Sequence, residues 1–136
     1  MALGDFPLFS WKSKKAQAKE MSEYEQWAFP HGEKQRENLT ALLLEVFPKE
    51  SVPNTMIPFL TCKELFDTAR EKNSQDGAVD AMINIQKTYK RIIKKNDMPI
   101  YLALVLADAQ IDENANYPTA DAIRARAEEL ERLRRD

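Results

Sequence analysis

The run from Ile100 to Ala109 is apolar on every face when it is drawn as a helix, and Asp108 is its sole charge. Because the run is rich in alanine and leucine and poor in β-branched residues, it favours a helix over a buried strand. A helix that is apolar all round lies in the middle of a fold. We therefore predict a central helix over about residues 98–110, with Asp97 as its N-cap and Pro99 in its first turn.

Apolar positions elsewhere recur every three or four residues, which is the spacing of helices that bury one face. This spacing predicts five amphipathic helices, over about residues 14–29, 33–47, 62–72, 75–95 and 119–135. The prolines of residues 51–60 predict an irregular connection, followed by a capping box of Thr61 and Glu64. The predicted buried side chains are Met21, Tyr24, Trp27, Ala28, Leu39, Leu42, Leu43, Val46, Leu65, Phe66, Ala69, Met82, Ile83, Ile85, Tyr89, Ile92, Ile93, Ala120, Ile123, Ala127, Leu130 and Leu133.

Together these segments predict an all-α fold, in the form of a compact single-domain bundle of about six helices around the central apolar helix. A chain of 136 residues is the length of one domain and can bury an ordinary core without disulfides or metals. We therefore expect residues 1–136 to form a single helical domain.

Cysteine usage and hydropathy predict the compartment. Cys62 is the single cysteine, so the chain can form no internal disulfide, and nothing indicates an oxidising environment. The N-terminus lacks the basic and apolar regions of a signal peptide, and the longest apolar run is about half the roughly 20 residues of a membrane span. We expect a cytoplasmic protein that does not enter a membrane.

One stretch resembles part of a metal-binding loop. Asp112, Asn114 and Asn116 stand at alternate positions between two predicted helices, as the first ligands of a calcium-binding EF-hand loop do. However, Tyr117 stands where that loop needs glycine, and Ile123 stands where it needs a bidentate glutamate. Because asparagine and aspartate are also common in plain turns, we predict a turn and no metal.

Two further residues are weighed as catalytic groups. Cys62 falls in the first turn of a predicted helix, where the dipole would favour a thiolate, but its spacing with Leu65, Phe66 and Ala69 predicts inward packing instead. His31 is the sole histidine and lies in the break before the second helix, so we expect it exposed in a turn. The sequence contains no enzyme signature, and we predict no catalytic residue, metal or cofactor.

The strongest charge feature is a basic stripe near the end of the fourth predicted helix. It consists of Lys87, Lys90, Arg91, Lys94 and Lys95, which share an outer face at helical spacing. Such a stripe could bind phosphates or an acidic partner. It is also typical of a solvated helix end, where cations are stabilised by the dipole, and the formal net charge of −2 disfavours a general nucleic-acid binder.

Large apolar side chains are concentrated at the N-terminus as well. Phe6, Leu8, Phe9 and Trp11 fall within six residues, ahead of the first predicted helix. This N-terminal aromatic segment, residues 1–12, is expected to clamp across a groove of its own bundle. The alternative is that Phe6, Phe9 and Trp11 are anchors for a partner.

These features favour a non-catalytic, cytosolic helical module that binds another protein or a second copy of itself. The candidate surfaces are the N-terminal aromatic segment and the last helix, whose outer face carries alternating charges at helical spacing. Two alternatives remain open. One is binding of nucleic acid or another anionic ligand through the basic stripe, and the other is a small carboxylate-based enzyme whose site the sequence does not reveal.

Overall fold

A computed structural model of the protein describes residues 23–71 and 93–135. Within these ranges all regular secondary structure is α-helical, and residues 23–28 are helical ahead of the first complete helix. We label the complete helices α1 (Glu33–Val46), α2 (Val52–Glu71), α3 (Met98–Asp108) and α4 (Ala120–Arg135). Their buried residues form one continuous core, so the predicted compact all-α bundle is confirmed.

Helix α3 is the central element that its apolar sequence predicts. It packs against both α2 and α4 and buries residues on all of its faces. Leu102 and Leu104, which point in different directions from the helix axis, are both fully buried. Asp97 is the N-cap residue as predicted, and Pro99 lies in the first turn, but the Asp97 side chain makes no cap hydrogen bond. Its backbone carbonyl accepts hydrogen bonds from the N–H groups of Ile100 and Tyr101 instead.

The first described elements follow the predicted pattern closely. Helix α1 buries Leu39, Leu42, Leu43 and Val46, the four positions that its periodicity predicts. It begins after Gly32, whose φ of 84° lies in the left-handed region that glycine tolerates best.

The helical residues ahead of α1 are only partly as expected. Ala28 is fully buried, whereas Trp27 is 37% exposed and lies at the edge of the core. Its ring contacts the Tyr24 ring obliquely within the same helical segment and lies 5.4 Å from the Lys63 ammonium nitrogen of α2. Met21 lies outside the described residues.

Helix α2 corrects the prediction for the proline-rich stretch. The helix begins at Val52 and continues through Pro58, so residues 52–60 are helical rather than irregular. The hydroxyl of Thr61 donates to the Ile57 carbonyl at 2.8 Å inside the helix, and the predicted capping box is therefore wrong. A proline inside a helix costs about 3 kcal/mol. Burial of side chains such as Phe59 and Leu60, at roughly 1.5–3 kcal/mol each, offsets that cost.

Helix α4 buries Ala120, Ile123, Ala127 and Leu130 as predicted, but Leu133 is 51% exposed. The reason is geometric. Each step of three residues turns the helix by about 300°, which is about 60° short of a full turn. Leu133 lies two such steps after Ala127 and is therefore rotated by about 120° away from the core. The ion pairs on the outer face join residues three apart, including Arg126 with Glu129.

The chain between α2 and α3 is described only from Ile93 onward. Ile93 is buried as predicted, but residues 93–97 form turns, so the predicted helix does not continue to Lys95. The turn is closed by the Lys94 carbonyl, which accepts hydrogen bonds from the N–H groups of Asp97 and Met98 at 3.0 and 3.1 Å. It redirects the chain into α3. The other residues of the predicted fourth helix lie outside the described ranges, as does the side chain of Ala69.

Among the helices of the two described ranges, none is both long enough and apolar enough to cross a membrane.

Candidate functional site

The sole charge of the central helix is the centre of a buried polar cluster. The Asp108 residue is 7% exposed, and its Oδ2 atom lies 2.7 Å from the ammonium nitrogen of Lys63. The other carboxylate oxygen, Oδ1, accepts hydrogen bonds from the Gln35 side-chain amide at 2.5 Å and from the Tyr117 hydroxyl. We call these four residues the Asp108 cluster. Because every carboxylate oxygen has a donor, the charge is compensated inside the core.

The Asp108 cluster extends to the backbone of one further segment, residues 23–32. Lys63 also donates to the Ala28 carbonyl at 2.8 Å, and its ammonium nitrogen lies 5.4 Å from the centre of the Trp27 ring. The Gln35 side-chain oxygen accepts a hydrogen bond from the His31 backbone N–H at 3.0 Å. The cluster therefore joins residues 23–32, α1, α2, α3 and the loop before α4.

Neither Lys63 nor Gln35 is among the predicted core residues. Gln35 lies four residues before Leu39, so the period of α1 places it on the buried face. Lys63 lies three residues before Phe66 within the predicted helix, but its spacing of four from Phe59 is informative only if α2 also includes residues 52–61. The interpretation of the prolines as a connection therefore hides half of the sequence signal for Lys63.

The environment of Tyr117 keeps its hydroxyl protonated. Burial raises the pKa of this phenol, the Asp108 charge and the hydrogen bond to Asp108 raise it further, and a hydrogen bond with Gln35 acts in the opposite direction. Tyr117 is thus a neutral donor, and both carboxylate oxygens of Asp108 accept hydrogen bonds from side chains of the fold. The arrangement of the Asp108 cluster is suited to holding helices together.

Cys62 and His31 have the burial that the sequence predicts for them. Cys62 is fully buried, and burial raises the pKa of its thiol, so it is a small core hydrophobe rather than a reactive thiolate. It lies in the interior of α2, because the helix begins ten residues earlier than its predicted start. His31 is exposed in the turn before α1.

The loop that resembles part of an EF-hand is a plain turn. The Asp112 carboxylate accepts a hydrogen bond from the Asn114 backbone N–H at 2.9 Å, and the Asp112 carbonyl accepts one from the Ala115 N–H at 3.1 Å. The buried Ala115 in turn accepts a hydrogen bond at its carbonyl from the Asn38 side chain at 2.5 Å. Within residues 23–71 and 93–135, no group of three or more histidine, cysteine or acidic residues is placed to hold a metal ion.

An open groove of about 400 Å³ lies where the end of α1, the first half of α2 and the start of α3 meet. We call it the α1–α3 groove. Phe47 stacks on Tyr101 within it, with ring centres 5.0 Å apart, and Ile57 is 37% exposed. Its apolar lining consists of Phe47, Pro53, Ile57, Pro58 and Tyr101.

Charged side chains line the same groove. Lys94 forms a loose pair with Glu50, at 3.7 Å between nitrogen and oxygen, and its side chain is 76% exposed. Asp97 lies beside them, and burial raises the pKa of its carboxyl, the Lys94 charge lowers it, and the Glu50 charge raises it. Two carboxylates accompany one ammonium group, so the charged lining of this groove is net negative.

The structure brings few of the predicted binding residues together. Phe6, Phe9 and Trp11 lie outside the described residues, as do Lys87, Lys90 and Arg91 of the basic stripe. Lys94 and Lys95 are both exposed in the turn before α3, with Lys94 at the α1–α3 groove. Anion binding through the basic stripe and partner binding through the N-terminal aromatic segment both stay predictions.

Lys95 lines a second open groove, of about 500 Å³, between the start of α3 and α4. Its walls carry charges of both signs, because Arg124 and Arg134 line it together with Glu128 and Glu131. With Lys95 the groove has three cationic side chains and two carboxylates, so its charged lining is net positive by one charge, and anion binding there stays a prediction.

No protein-family model, curated protein or solved structure matches this chain. Inference about its function therefore rests on the geometry of its own residues, and in particular on the contrast between the closed Asp108 cluster and the open α1–α3 groove.

Proposed function

We propose that the protein is a non-catalytic, cytoplasmic helical module that binds a short segment of a partner protein in the α1–α3 groove. The observation that carries the proposal is the apolar lining of the groove, where Phe47 and Ile57 remain partly open beside a closed core. A groove of this volume lies within the range of binding clefts. Apolar and aromatic anchors in such clefts commonly supply most of the binding energy.

The charge of the groove lining indicates which segments fit it. Asp97 and Glu50 together outweigh Lys94, so a segment with a basic residue next to its apolar anchor is complementary. Acidic segments would place like charges together and are disfavoured. The proposed partner therefore presents an aromatic or aliphatic anchor with lysine or arginine beside it.

Two further observations support binding rather than catalysis in the cytoplasm. The buried ionisable groups of the Asp108 cluster are occupied with one another, which leaves them poorly suited to proton transfer. The single cysteine is buried and its thiol pKa is raised, which suits a protein that needs no disulfide.

The test is recovery of partners with the full-length tagged protein from its own cells, compared between two matched variants. Ile57→Asp places a charge in the groove, whereas Leu44→Asp places one on an equally exposed helical position that does not line it, at 39% against 37% exposed. We expect one partner to be lost with Ile57→Asp and retained with Leu44→Asp, with unchanged helix content by circular dichroism. Equal recovery with both variants, or no partner at all, contradicts the proposal.

A further inference from the structure

The α1–α3 groove has a complementary segment within the same chain. Residues 6–11 contain Phe6, Leu8, Phe9 and Trp11, and the next four residues contain three lysines, namely Lys12, Lys14 and Lys15. This pattern of apolar anchors followed by basic residues is the one that the groove lining requires. The apolar anchors match the apolar surface around Ile57, and the lysines match the carboxylates of Glu50 and Asp97.

We propose that the N-terminal aromatic segment of the chain occupies the α1–α3 groove of the same molecule, with its aromatic side chains on the apolar lining and its lysines beside Glu50 and Asp97. This inference rests on the proposed function, since it assigns the same groove a first occupant. The segment then competes with outside partners, and partner binding requires its displacement.

The length of the chain permits this contact. Lys63 donates to the Ala28 carbonyl, so the first described helical residues end beside α2. Ile57 lies six residues earlier on α2, a rise of about 9 Å along the helix. The chain from Lys12 to Glu23 spans about 16 Å if it continues the helix, as the sequence predicts, which still exceeds that rise.

Linkage to the same chain also makes a weak contact effective. A segment tethered by a short connection has an effective local concentration in the millimolar range. Burial of one or two aromatic side chains is then sufficient to fill the groove most of the time, whereas a separate partner must compete at its own concentration. A partner with more anchors, or with better shape complementarity, can still displace the segment.

The decisive experiment is disulfide trapping in the full chain. Ser10→Cys lies between two of the aromatic anchors and leaves them intact, and it is combined with Asn54→Cys at the groove or with Leu44→Cys as the matched control. The native Cys62 does not interfere, because it is fully buried and its thiol pKa is raised. We expect the intramolecular disulfide to form about tenfold faster with Asn54→Cys than with Leu44→Cys.

A third variant tests whether the groove itself causes the preference. Adding Ile57→Asp to the Ser10→Cys and Asn54→Cys pair should abolish the rate advantage, while circular dichroism shows unchanged helix content. Equal rates for the groove and control pairs would overturn the proposal. Disulfides formed mainly between molecules would also overturn it, because they would assign the groove to the segment of a second copy.

The two proposals fail in different ways. Equal trapping rates together with partner recovery that depends on Ile57 would overturn the internal contact and leave the proposed function standing. Preferential trapping without any recovered partner would overturn the proposed function and leave the internal contact standing. If both hold, the Phe9→Ala and Trp11→Ala double variant should recover several times more partner than the wild type, because the competing segment is weakened.

Discussion

One aspartate lies at each end of the central helix, and the surroundings of the two differ sharply. Asp108, at its C-terminal end, is compensated by the Lys63 ammonium group and by the donors of Gln35 and Tyr117. Asp97, just before its N-terminal end, lies in an open groove near Glu50 and Lys94, and burial raises its pKa. The same residue type is thus part of a closed structural network at one end and of an accessible surface at the other.

This difference separates stability from recognition along a single helix. A carboxylate whose partners are all internal cannot exchange them without unfolding, so the Asp108 cluster maintains the fold. A partly buried carboxylate with an exposed neighbouring cation can gain a better partner from outside. We therefore expect substitutions at the two ends to separate clearly in their effects on unfolding and on binding.

The largest expected effect is at Lys63. Lys63→Met removes the cation and leaves the Asp108 charge buried without it, which should lower the free energy of unfolding by about 3–5 kcal/mol. Denaturant unfolding followed by circular dichroism measures this loss. If α2 fails to fold at all in this variant, Lys63→Arg should restore much of the stability, because it keeps the charge.

The matched control for that experiment is Lys94→Met in the exposed pair with Glu50. An exposed pair contributes less than about 1 kcal/mol, so this variant should unfold close to the wild type. Similar losses for Lys63→Met and Lys94→Met would remove the distinction between the two ends of α3.

A smaller loss is expected at Tyr117. Tyr117→Phe removes one donor to Oδ1 of Asp108 but leaves the other donors in place, and it should cost about 1–3 kcal/mol. The effect should also depend on pH. Because the folded-state pKa of Tyr117 lies above 10.0, the unfolded chain loses this proton first, and stability falls as the pH rises above that value.

The pH dependence provides the control for the phenylalanine variant. Tyr117→Phe cannot lose that proton, so its stability should fall less steeply than that of the wild type above pH 10. Identical alkaline profiles would show that the hydroxyl of Tyr117 is not held by the Asp108 cluster. Urea unfolding at a series of alkaline pH values distinguishes the two results.

The smallest expected effect is at Asp97 and has the opposite sign. Burial raises the folded-state pKa of Asp97 above its ordinary value of 3.8, so the folded protein binds this proton more readily than the unfolded chain does. Stability that depends on Asp97 is therefore present at low pH and is lost as the pH rises through the folded pKa. Asp97→Asn should increase stability at pH 7 by less than about 1 kcal/mol.

The gain from Asp97→Asn should shrink as the pH is lowered toward 3.8, where the wild-type carboxyl is protonated as well. The same substitution should weaken binding of a basic segment, because it removes one of the two carboxylates in the groove lining. A gain in stability that stays constant between pH 7 and pH 4 would refute the raised pKa of Asp97 as its cause.

Much of the fold follows from periodicity alone. The central position of α3 and the buried faces of α1 and α4 are predictable because burial selects the same face at every turn of an amphipathic helix. Leu133 marks the limit of this argument, since a stripe built on steps of three rotates away from the core. The start of α2 is less predictable. Pro58 is a local signal against helix, and tertiary packing overrides that signal.

The candidate sites are less accessible to sequence reasoning than the fold. Asp108 is recognisable as an isolated charge in an apolar helix, but its partners Gln35 and Lys63 are 73 and 45 residues away along the chain. No local pattern connects residues at such separations. The α1–α3 groove is equally hidden, because it forms only where three helix ends meet.

The separations within the Asp108 cluster also affect the order of events in folding. Its members come from three helices and a loop, so the cluster can close only after all of them have docked, and long-range contacts of this kind form late. Opening any one of these three helices would uncover a charge in the core, which couples them into one cooperative unit. Substitutions in the cluster should therefore accelerate unfolding far more than they slow folding.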